Sequence, residues 1–193
     1  MTSSRRTVAR AAGCVLAATT VWAGQNPPPA WELRLTERIN RLPAAGAWAL
    51  YPVMQLGAGA APLAVSGLVL ATGRNRRQAA VIAVAGLGSW FAAKALKRVV
   101  GRARPAEYLP RLDVREGDGS GLGFPSGHAA VAAAVATTVA AAWAEGRPIV
   151  LTATGLVGLA RIVFGMHLPV DVVGGWALGA VLGTAALAAG ERV

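Results

Sequence analysis

Charged residues in this chain are clumped between long uncharged stretches, and that pattern limits what the chain can fold into. Of its 193 residues, 54% are hydrophobic and only 15% are charged, whereas a soluble domain of this size usually carries about 25% charged residues. A helix that crosses a membrane needs roughly 20 mostly apolar residues. The pattern therefore predicts an all-α, polytopic membrane protein built as a helical bundle.

Six apolar segments predict about six transmembrane helices. They cover residues 8–23, 48–72, 79–96, 128–144, 149–164 and 169–189. The first follows a basic start and has features of a cleaved signal peptide, but we favour a retained helix because five further segments follow it. Glycine and alanine are abundant in all six segments, which lets helices pack closely in lipid.

The chain between the first two segments has a different composition. The prolines of residues 27–29 predict a stiff, extended connection. The sequence WELRLTERINRL after them predicts an amphipathic helix that lies in the membrane interface, and a solvated connector is the alternative. We therefore divide the chain into an N-terminal helix with an interfacial segment, residues 1–47, and a helical core, residues 48–193.

The formal net charge of +10 raises the question of a nucleic-acid partner. The basic residues lie at the ends of apolar segments rather than along one face of a soluble fold, so lipid headgroups and the positive-inside rule explain them better. If the N-terminus is cytoplasmic, so are the basic pieces MTSSRRTVAR and GRNRRQ, while residues 24–47, 97–127 and 161–169 face the other side. Those residues are basic too, so the positive-inside rule alone does not decide the orientation. Cys14 is the only cysteine, which excludes an intramolecular disulfide, and no Cys/His cluster predicts a metal site.

Polar residues from three separate segments fall on that other side, where charged groups near the membrane core are candidates for function. Lys97, Arg104 and Arg161 are cations suited to surround a compact anion, because arginine matches phosphate oxygens with two donors and lysine adds a point charge. Taken alone, such residues more often face lipid headgroups. We assign that headgroup-facing role to Lys94, Arg98 and Arg102.

The sequence PSGH, from Pro125 to His128, predicts the start of a helix. Ser126 is a favourable N-cap residue, and Gly127 allows a ligand to approach the backbone closely. Free N–H groups and the positive end of the helix dipole make an anion-binding site. A helix cap without a ligand is the alternative for this motif taken by itself.

His167 and Asp171 stand four residues apart around Pro169, which suits the first turn of a helix. Asp171 can then accept a hydrogen bond from one ring nitrogen of His167 and leave the other nitrogen free to attack, which is the logic of covalent catalysis. His128 has no carboxylate near it in sequence and suits a proton donor to a leaving oxygen. Because all three motifs fall on one side of the membrane, we favour a functional site over three separate structural features.

Together the three motifs resemble the tripartite signature of the type-2 phosphatidic acid phosphatase family, whose superfamily includes vanadium haloperoxidases, bacterial acid phosphatases and glucose-6-phosphatase. The signature runs Lys, six residues, Arg-Pro; then Pro-Ser-Gly-His; then Ser-Arg, five residues, His, three residues, Asp. The chain matches it with KRVVGRARP, PSGH and ARIVFGMHLPVD, across residues 97–171. Ala160 replaces the signature serine, whose hydroxyl could tune the arginine that follows.

The resemblance implies a core like that of the acid phosphatases and vanadium haloperoxidases, and a metal-independent phosphatase without a cofactor. In such an enzyme His167 would attack phosphorus and form a phosphohistidine, Asp171 would orient it, and His128 would protonate the leaving group. The residues that would hold the phosphoryl oxygens are Lys97, Arg104, Ser126, Gly127 and Arg161.

The resemblance also implies a substrate class and a location. A site at the membrane face suits a lipid whose tail stays in the bilayer, and members of the family act on isoprenyl diphosphates such as undecaprenyl diphosphate, on phosphatidic acid or on phosphatidylglycerol phosphate. We expect an isoprenoid-linked phosphate or diphosphate of the cell envelope and a multi-pass plasma-membrane protein with an extracytoplasmic active site. A lipid-phosphate-binding protein without turnover and a vanadate-dependent haloperoxidase are the alternatives.

Overall fold

The computed structural model describes residues 3–73 and 75–192, and every helix or strand segment it assigns in these ranges is helical. The helices are α1 (Ser3–Ala23), α2 (Ala30–Asn40), α3 (Ala44–Ala49), α4 (Tyr51–Met54), α5 (Ala61–Ala71), α6 (Arg76–Val100), α7 (Gly127–Ala142), α8 (Arg147–Val163) and α9 (Pro169–Gly190). Short 3₁₀ turns occupy Gln55–Gly57 and Pro105–Glu107. The prediction of an all-α bundle is confirmed.

Helices α6, α7 and α9 form the centre of the bundle. Helix α7 packs against α6, α8 and α9, while α1 packs along α9 and α5 packs along α6. The contact between α7 and α9 is especially close, because a Cβ atom on Gly179 of α9 would lie 2.1 Å from the carbonyl oxygen of Ala130 in α7. Such close backbone contact is typical of helices that associate in lipid.

Two helices of the described chain, α6 and α9, are long and apolar enough to cross a membrane. Tyr51–Gly57 and Ala61–Ala71 could together form a third crossing, and α7 is apolar over its 16 residues. Length and composition therefore support a membrane-embedded bundle, whereas the number of six spans stays a prediction. The division of the chain at residue 47 also stays a prediction.

The second predicted span, residues 48–72, is wrong as one continuous helix. The chain breaks after Gly57, and α5 leaves at 85° to the preceding turns. The break has two local causes: Ala58 is extended, with φ −65° and ψ 156°, and Pro62 favours a new helix start at the first turn of α5. The break sets Gly57 against the start of α7, where a Cβ atom would lie 2.5 Å from the carbonyl oxygen of His128.

Helix α2 turns polar residues toward the rest of the protein, while Leu35 and Leu42 are exposed on the protein surface. The buried positions, spaced four residues apart on one helical face, are Glu32, Thr36 and Asn40. The Asn40 side chain donates to the backbone oxygens of Asp113, at 2.8 Å, and Val163, at 2.9 Å. Helix α2 is thereby fixed to the loop before α7 and to the end of α8.

Candidate active site

The predicted site residues come from four helix ends: the C-terminal ends of α6 and α8 and the N-terminal ends of α7 and α9. Helix α6 stops at Gly101, whose φ of 69° is the left-handed conformation that glycine adopts without strain. The loop that follows folds back on itself, because the Gly123 N–H donates to the backbone oxygen of Arg102 at 2.7 Å. The Ser126 N–H then donates to the backbone oxygen of Asp171 at 2.8 Å, which connects the start of α7 to the start of α9.

His167 lies in the turn between α8 and α9 and is only 3% exposed. Burial lowers the pKa of its imidazole well below the ordinary value, and the charges of Lys97, Arg161 and Arg104 lower the pKa further. His128 also lowers it. The ring is therefore neutral near pH 7, and the structure brings the three predicted cations and the second histidine within electrostatic reach of it.

Asp171 is fully buried and directs one carboxylate oxygen toward His167. Its Oδ2 accepts a hydrogen bond from the Leu168 N–H at 2.9 Å and lies 3.6 Å from His167 Nδ1. That separation is longer than a hydrogen bond, although Nδ1 has no other hydrogen-bond partner among the described residues. The loop makes room for this carboxylate at Gly123, where a Cβ atom would lie 2.8 Å from Oδ2.

The PSGH motif begins α7 as predicted. The Ser126 hydroxyl caps the helix by accepting from the Ala129 N–H at 3.4 Å. The His128 ring lies edge-to-face against the Trp90 indole, with 6.3 Å between ring centroids, an arrangement that favours one ring orientation. A Cβ atom on Gly127 would lie 3.5 Å from the same indole. Sequence reasoning missed Trp90, because an aromatic residue inside an apolar helix gives no signal of its own.

Lys97 and Arg104 flank the loop that leads into α7. The Lys97 ammonium donates to the backbone oxygens of Leu122, at 2.8 Å, and Gly123, at 2.6 Å. The Arg104 Nε is buried and has no hydrogen-bond partner in residues 3–73 and 75–192. Within the same ranges, no group of three or more His, Cys, Asp or Glu side chains is arranged to hold a metal ion.

Arg161 is 3% exposed and has two side-chain partners. It donates from Nη1 to the carboxylate of Glu116, and the same nitrogen lies 3.3 Å from the Met54 sulfur. Ala160, which replaces the signature serine, is fully buried in an apolar cluster with Met54 and Phe164. Glu116 was not predicted, because its loop is polar throughout and nothing local marks one carboxylate as the partner of a distant arginine.

The prediction that Arg102 faces lipid headgroups is wrong. The side chain is 4% exposed and donates from Nη1 to Asp171 Oδ1 at 2.9 Å and from Nη2 to Glu32 Oε2 at 2.5 Å. Burial opposes its charge, but Asp171 and Glu32 together raise the pKa of Arg102 above its ordinary value. Lys94 and Arg98 are exposed, and their headgroup-facing role stays a prediction.

A family model described as the PAP2 superfamily matches residues 77–192, more than half of the chain. The chain belongs to the PAP2 superfamily. The resemblance recognised from the three motifs is therefore confirmed, and all eight predicted site residues lie inside the matched range.

Two curated relatives are lipid phosphatases. A decaprenylphosphoryl-5-phosphoribose phosphatase of Mycolicibacterium smegmatis is 38% identical over 130 residues, which cover 67% of this chain and 69% of the relative. A lipid A 1-phosphatase of Rhizobium johnstonii is 29% identical over 123 residues, which cover 58% of this chain and 50% of the relative. The family match and these relatives together show that the chain is a lipid phosphate phosphatase.

A solved structure shares the fold. The transmembrane PAP2 type phosphatidylglycerolphosphate phosphatase from Bacillus subtilis superposes with a TM-score of 0.79 over 96% of both chains, at 19% sequence identity. Because 96% of this chain is covered, the likeness extends beyond the range of the family model, residues 77–192. The likeness shows that the chain has the helical fold of that phosphatase. Helices α6 and α9, which are long and apolar enough to cross a membrane, agree with a membrane protein.

Proposed function

We propose that this protein hydrolyses the phosphate ester of an isoprenoid-linked membrane lipid through a phosphohistidine formed on His167. The observation that carries the proposal is a buried, neutral imidazole with a carboxylate on one side and three cations within electrostatic reach. A phosphate group is the anion that such a set of donors fits best.

His167 is the proposed nucleophile. A proton on Nδ1 that points to Asp171 leaves the lone pair of Nε2 free to attack phosphorus. The separation of 3.6 Å between Nδ1 and Oδ2 shortens in this scheme when substrate binds, as catalytic hydrogen bonds commonly do. As the ring becomes cationic during attack, the Asp171 carboxylate stabilises the charge that develops on it.

His128 is the proposed acid for the leaving lipid oxygen. A bound phosphate monoester adds negative charge beside its ring, and a nearby negative charge favours the protonated imidazole. Once the lipid has left, the neutral His128 can accept a proton from water as that water attacks the phosphohistidine. The products are inorganic phosphate, the lipid alcohol and free His167.

The phosphoryl oxygens are stabilised by charge and by helix α7. Lys97, Arg104 and Arg161 supply cations, while Ser126 offers its side-chain hydroxyl and Gly127 an N–H group in the first turn of α7. Preorganised donors of this kind stabilise the charge that develops on the equatorial oxygens in the transition state. Arg161 already holds Glu116, so the arriving phosphate must share or displace that carboxylate.

Two observations support an isoprenoid-linked substrate. The Mycolicibacterium smegmatis relative is named for a decaprenyl-linked phosphate. An apolar cavity of about 170 Å³ lies between α5, α7 and α8, with Leu56, Ala132 and Val157 among its lining residues. It runs beside α7 from a point one helical turn past His128, which suits a lipid tail whose phosphate lies at the start of α7.

The test measures phosphate release from polyprenyl and glycerolipid phosphates by the purified protein in detergent. His167→Ala should lower kcat by at least about 10³-fold and His128→Asn by about 10²- to 10⁴-fold, with unchanged elution on size exclusion. Radiolabelled phosphate from the substrate should be trapped on His128→Asn as an acid-labile, alkali-stable adduct and be absent from His167→Ala. Wild-type rates after His167→Ala would reject the nucleophile.

We also propose that the site faces the extracytoplasmic side of the plasma membrane. Arg5 of α1 pairs with Glu191 beyond the end of α9, whereas the site lies at the start of α9. The basic starts of α1, α6 and α8 thus lie at the end of the bundle away from the site. The site end is basic as well, but Lys97, Arg104 and Arg161 have a separate use there as phosphate ligands, and the acid-free basic segments at the starts of α1 and α6 favour the other end as the cytoplasmic one.

A matched pair of cysteine variants tests this orientation. Glu107, in the loop after α6, and Glu145, in the loop after α7, are both exposed and lie at opposite ends of the bundle. In a Cys14→Ser background, a membrane-impermeant maleimide added to intact cells should label Glu107→Cys and leave Glu145→Cys unlabelled until the cells are broken. The reverse labelling would place the site in the cytoplasm.

A further inference from the structure

Glu32 and Arg102 are buried ionisable residues for which the proposed chemistry has no direct use. Their side chains are 0% and 1% exposed and are joined at 2.5 Å between Oε2 and Nη2. Arg102 also reaches Asp171 at 2.9 Å, and the Asp171 side chain is 0% exposed. The three residues form one buried network, the Glu32–Arg102–Asp171 network.

The network satisfies both carboxylates in a place that water does not reach. Glu32 Oε1 accepts from the Val170 N–H at 2.9 Å, and its Oε2 accepts from Arg102. A buried charge without partners is strongly destabilised, and removing one partner of a buried pair leaves the other uncompensated. Arg102 therefore supplies the positive charge that faces both carboxylates, and Glu32 holds the Arg102 guanidinium at Nη2.

The two oxygens of Asp171 have separate partners. Arg102 Nη1 fixes Oδ1, while Oδ2 accepts from the Leu168 N–H and faces His167 Nδ1. Rotation of the carboxylate would break both hydrogen bonds at once. The other charged groups that act on this carboxylate are Glu32 from α2 and Lys97 from α6. The direction in which Asp171 presents Oδ2 thus depends on Arg102 and, one step further, on α2.

We propose that Glu32 and Arg102 are positioning residues, which act on the reaction by fixing the Asp171 carboxylate that orients His167. This inference rests on the proposed function of His167. Glu32 lies outside the range of the family model, residues 77–192, so the N-terminal helix α2 supplies a part of the active site that the matched segment does not contain.

The test compares Glu32→Gln and Arg102→Gln with two exposed control variants, Glu37→Gln on α2 and Arg98→Gln on α6. Loss of a residue that supports a metal ligand typically costs about 10- to 100-fold in activity, and we take the same range for residues that support the Asp171 carboxylate. We expect kcat to fall by that amount in both network variants, with KM within about twofold, because the phosphate ligands are untouched. Both controls should keep wild-type kcat. A wild-type kcat in Glu32→Gln would overturn the inference.

Repeating both substitutions in an Asp171→Asn background separates positioning from folding. If Glu32 and Arg102 act through Asp171, their replacement there should lower kcat by less than about threefold, because effects within one network are not additive. An equal loss of kcat in both backgrounds would show a general structural role and overturn the inference. If Glu32→Gln does not fold, Arg102→Lys replaces it, since lysine keeps the charge and loses the two-pronged geometry.

Trapping of the phosphoenzyme distinguishes this inference from the proposed function. Absence of a His167-dependent phosphoenzyme from His128→Asn would reject the proposed function. A phosphoenzyme that forms as fast when Glu32→Gln is added to His128→Asn as in His128→Asn alone would reject only the positioning role.

Discussion

The close contact between α7 and α9 makes Gly179 a position where one methyl group should disturb the active site. Helix α7 is capped by Ser126 and carries His128, and α9 carries Asp171, so the distance between these helices sets the distance between the proposed catalytic groups. Gly179→Ala places a Cβ atom 2.1 Å from the Ala130 carbonyl oxygen. The nearest atom is rigid backbone, so the clash cannot be relieved by a side-chain rotation.

The size of the effect follows from that distance. Real Cβ contacts essentially never fall below 3.0 Å, so the two backbones must separate by about 0.9 Å. Overpacking of this kind typically costs about 1–3 kcal/mol of stability. A displacement of about 1 Å between reacting groups can cost about 10²-fold in rate. We therefore expect Gly179→Ala to lower kcat by about 10²-fold in protein that is still largely folded.

Gly67→Ala is the matched control, because Gly67 is an exposed glycine inside α5 and a Cβ atom there would have no neighbour within 4 Å. Alanine is favoured over glycine inside a helix by about 1 kcal/mol, so this variant should be as stable as the wild type or more stable, with unchanged kcat. Thermal unfolding and phosphate release in one detergent measure both quantities. Wild-type kcat and stability in Gly179→Ala would show that the helices are not in contact as described.

Three further outcomes follow from the site. The folded-state pKa of His167 lies below the unfolded value of 6.5, so the unfolded state binds a proton that the folded state does not. Stability should therefore be retained above pH 6.5 and fall below it by up to about 1.4 kcal/mol per pH unit. Thermal unfolding at pH 6.5 and 5.5 measures the loss, which should be smaller in His167→Asn. Glu116→Gln removes the carboxylate that competes with phosphate for Arg161. KM should therefore fall by up to about fivefold, because a partly exposed ion pair contributes up to about 1 kcal/mol. A raised KM would contradict this competition. A chelator should leave phosphate release unchanged, because Lys97 and Arg104 supply the cationic charge, and a strict need for a divalent ion would oppose that mechanism.

The parts of the site that the sequence predicted are those in which a local pattern determines the structure. Ser126 before an apolar run predicts an N-cap, and Asp171 two residues after Pro169 predicts a carboxylate in the first turn of a helix. Each signal depends on residues within one turn of each other. The spacing of the three motifs then identified the family, and the family implies that they meet.

The parts that the sequence did not predict depend on contacts between distant residues. Glu32 and Arg102 are 70 positions apart, and neither carries a local mark that it is buried. The hydrophobic pattern of this segment predicts a face of Leu35, Ile39 and Leu42, of which Ile39 packs against the core and the two leucines are exposed. The fully buried positions of α2 are polar, because they meet a buried charge and backbone oxygens. The break after Gly57 was not predicted either, because an apolar segment has the same composition whether its helix is straight or bent.

The balance of charge at the site explains why carboxylates accompany so many cations. Among the described residues, the cations that act on the site or support it are Lys97, Arg102, Arg104 and Arg161, and the carboxylates paired with them are Glu32, Glu116 and Asp171. Four cations and three carboxylates leave a single positive charge before substrate binds. A phosphate dianion turns this into a single negative charge, and one proton on His128 brings the sum to zero. Bound phosphate therefore favours the protonated form of His128, and phosphate is bound in the state in which the proposed reaction needs an acid.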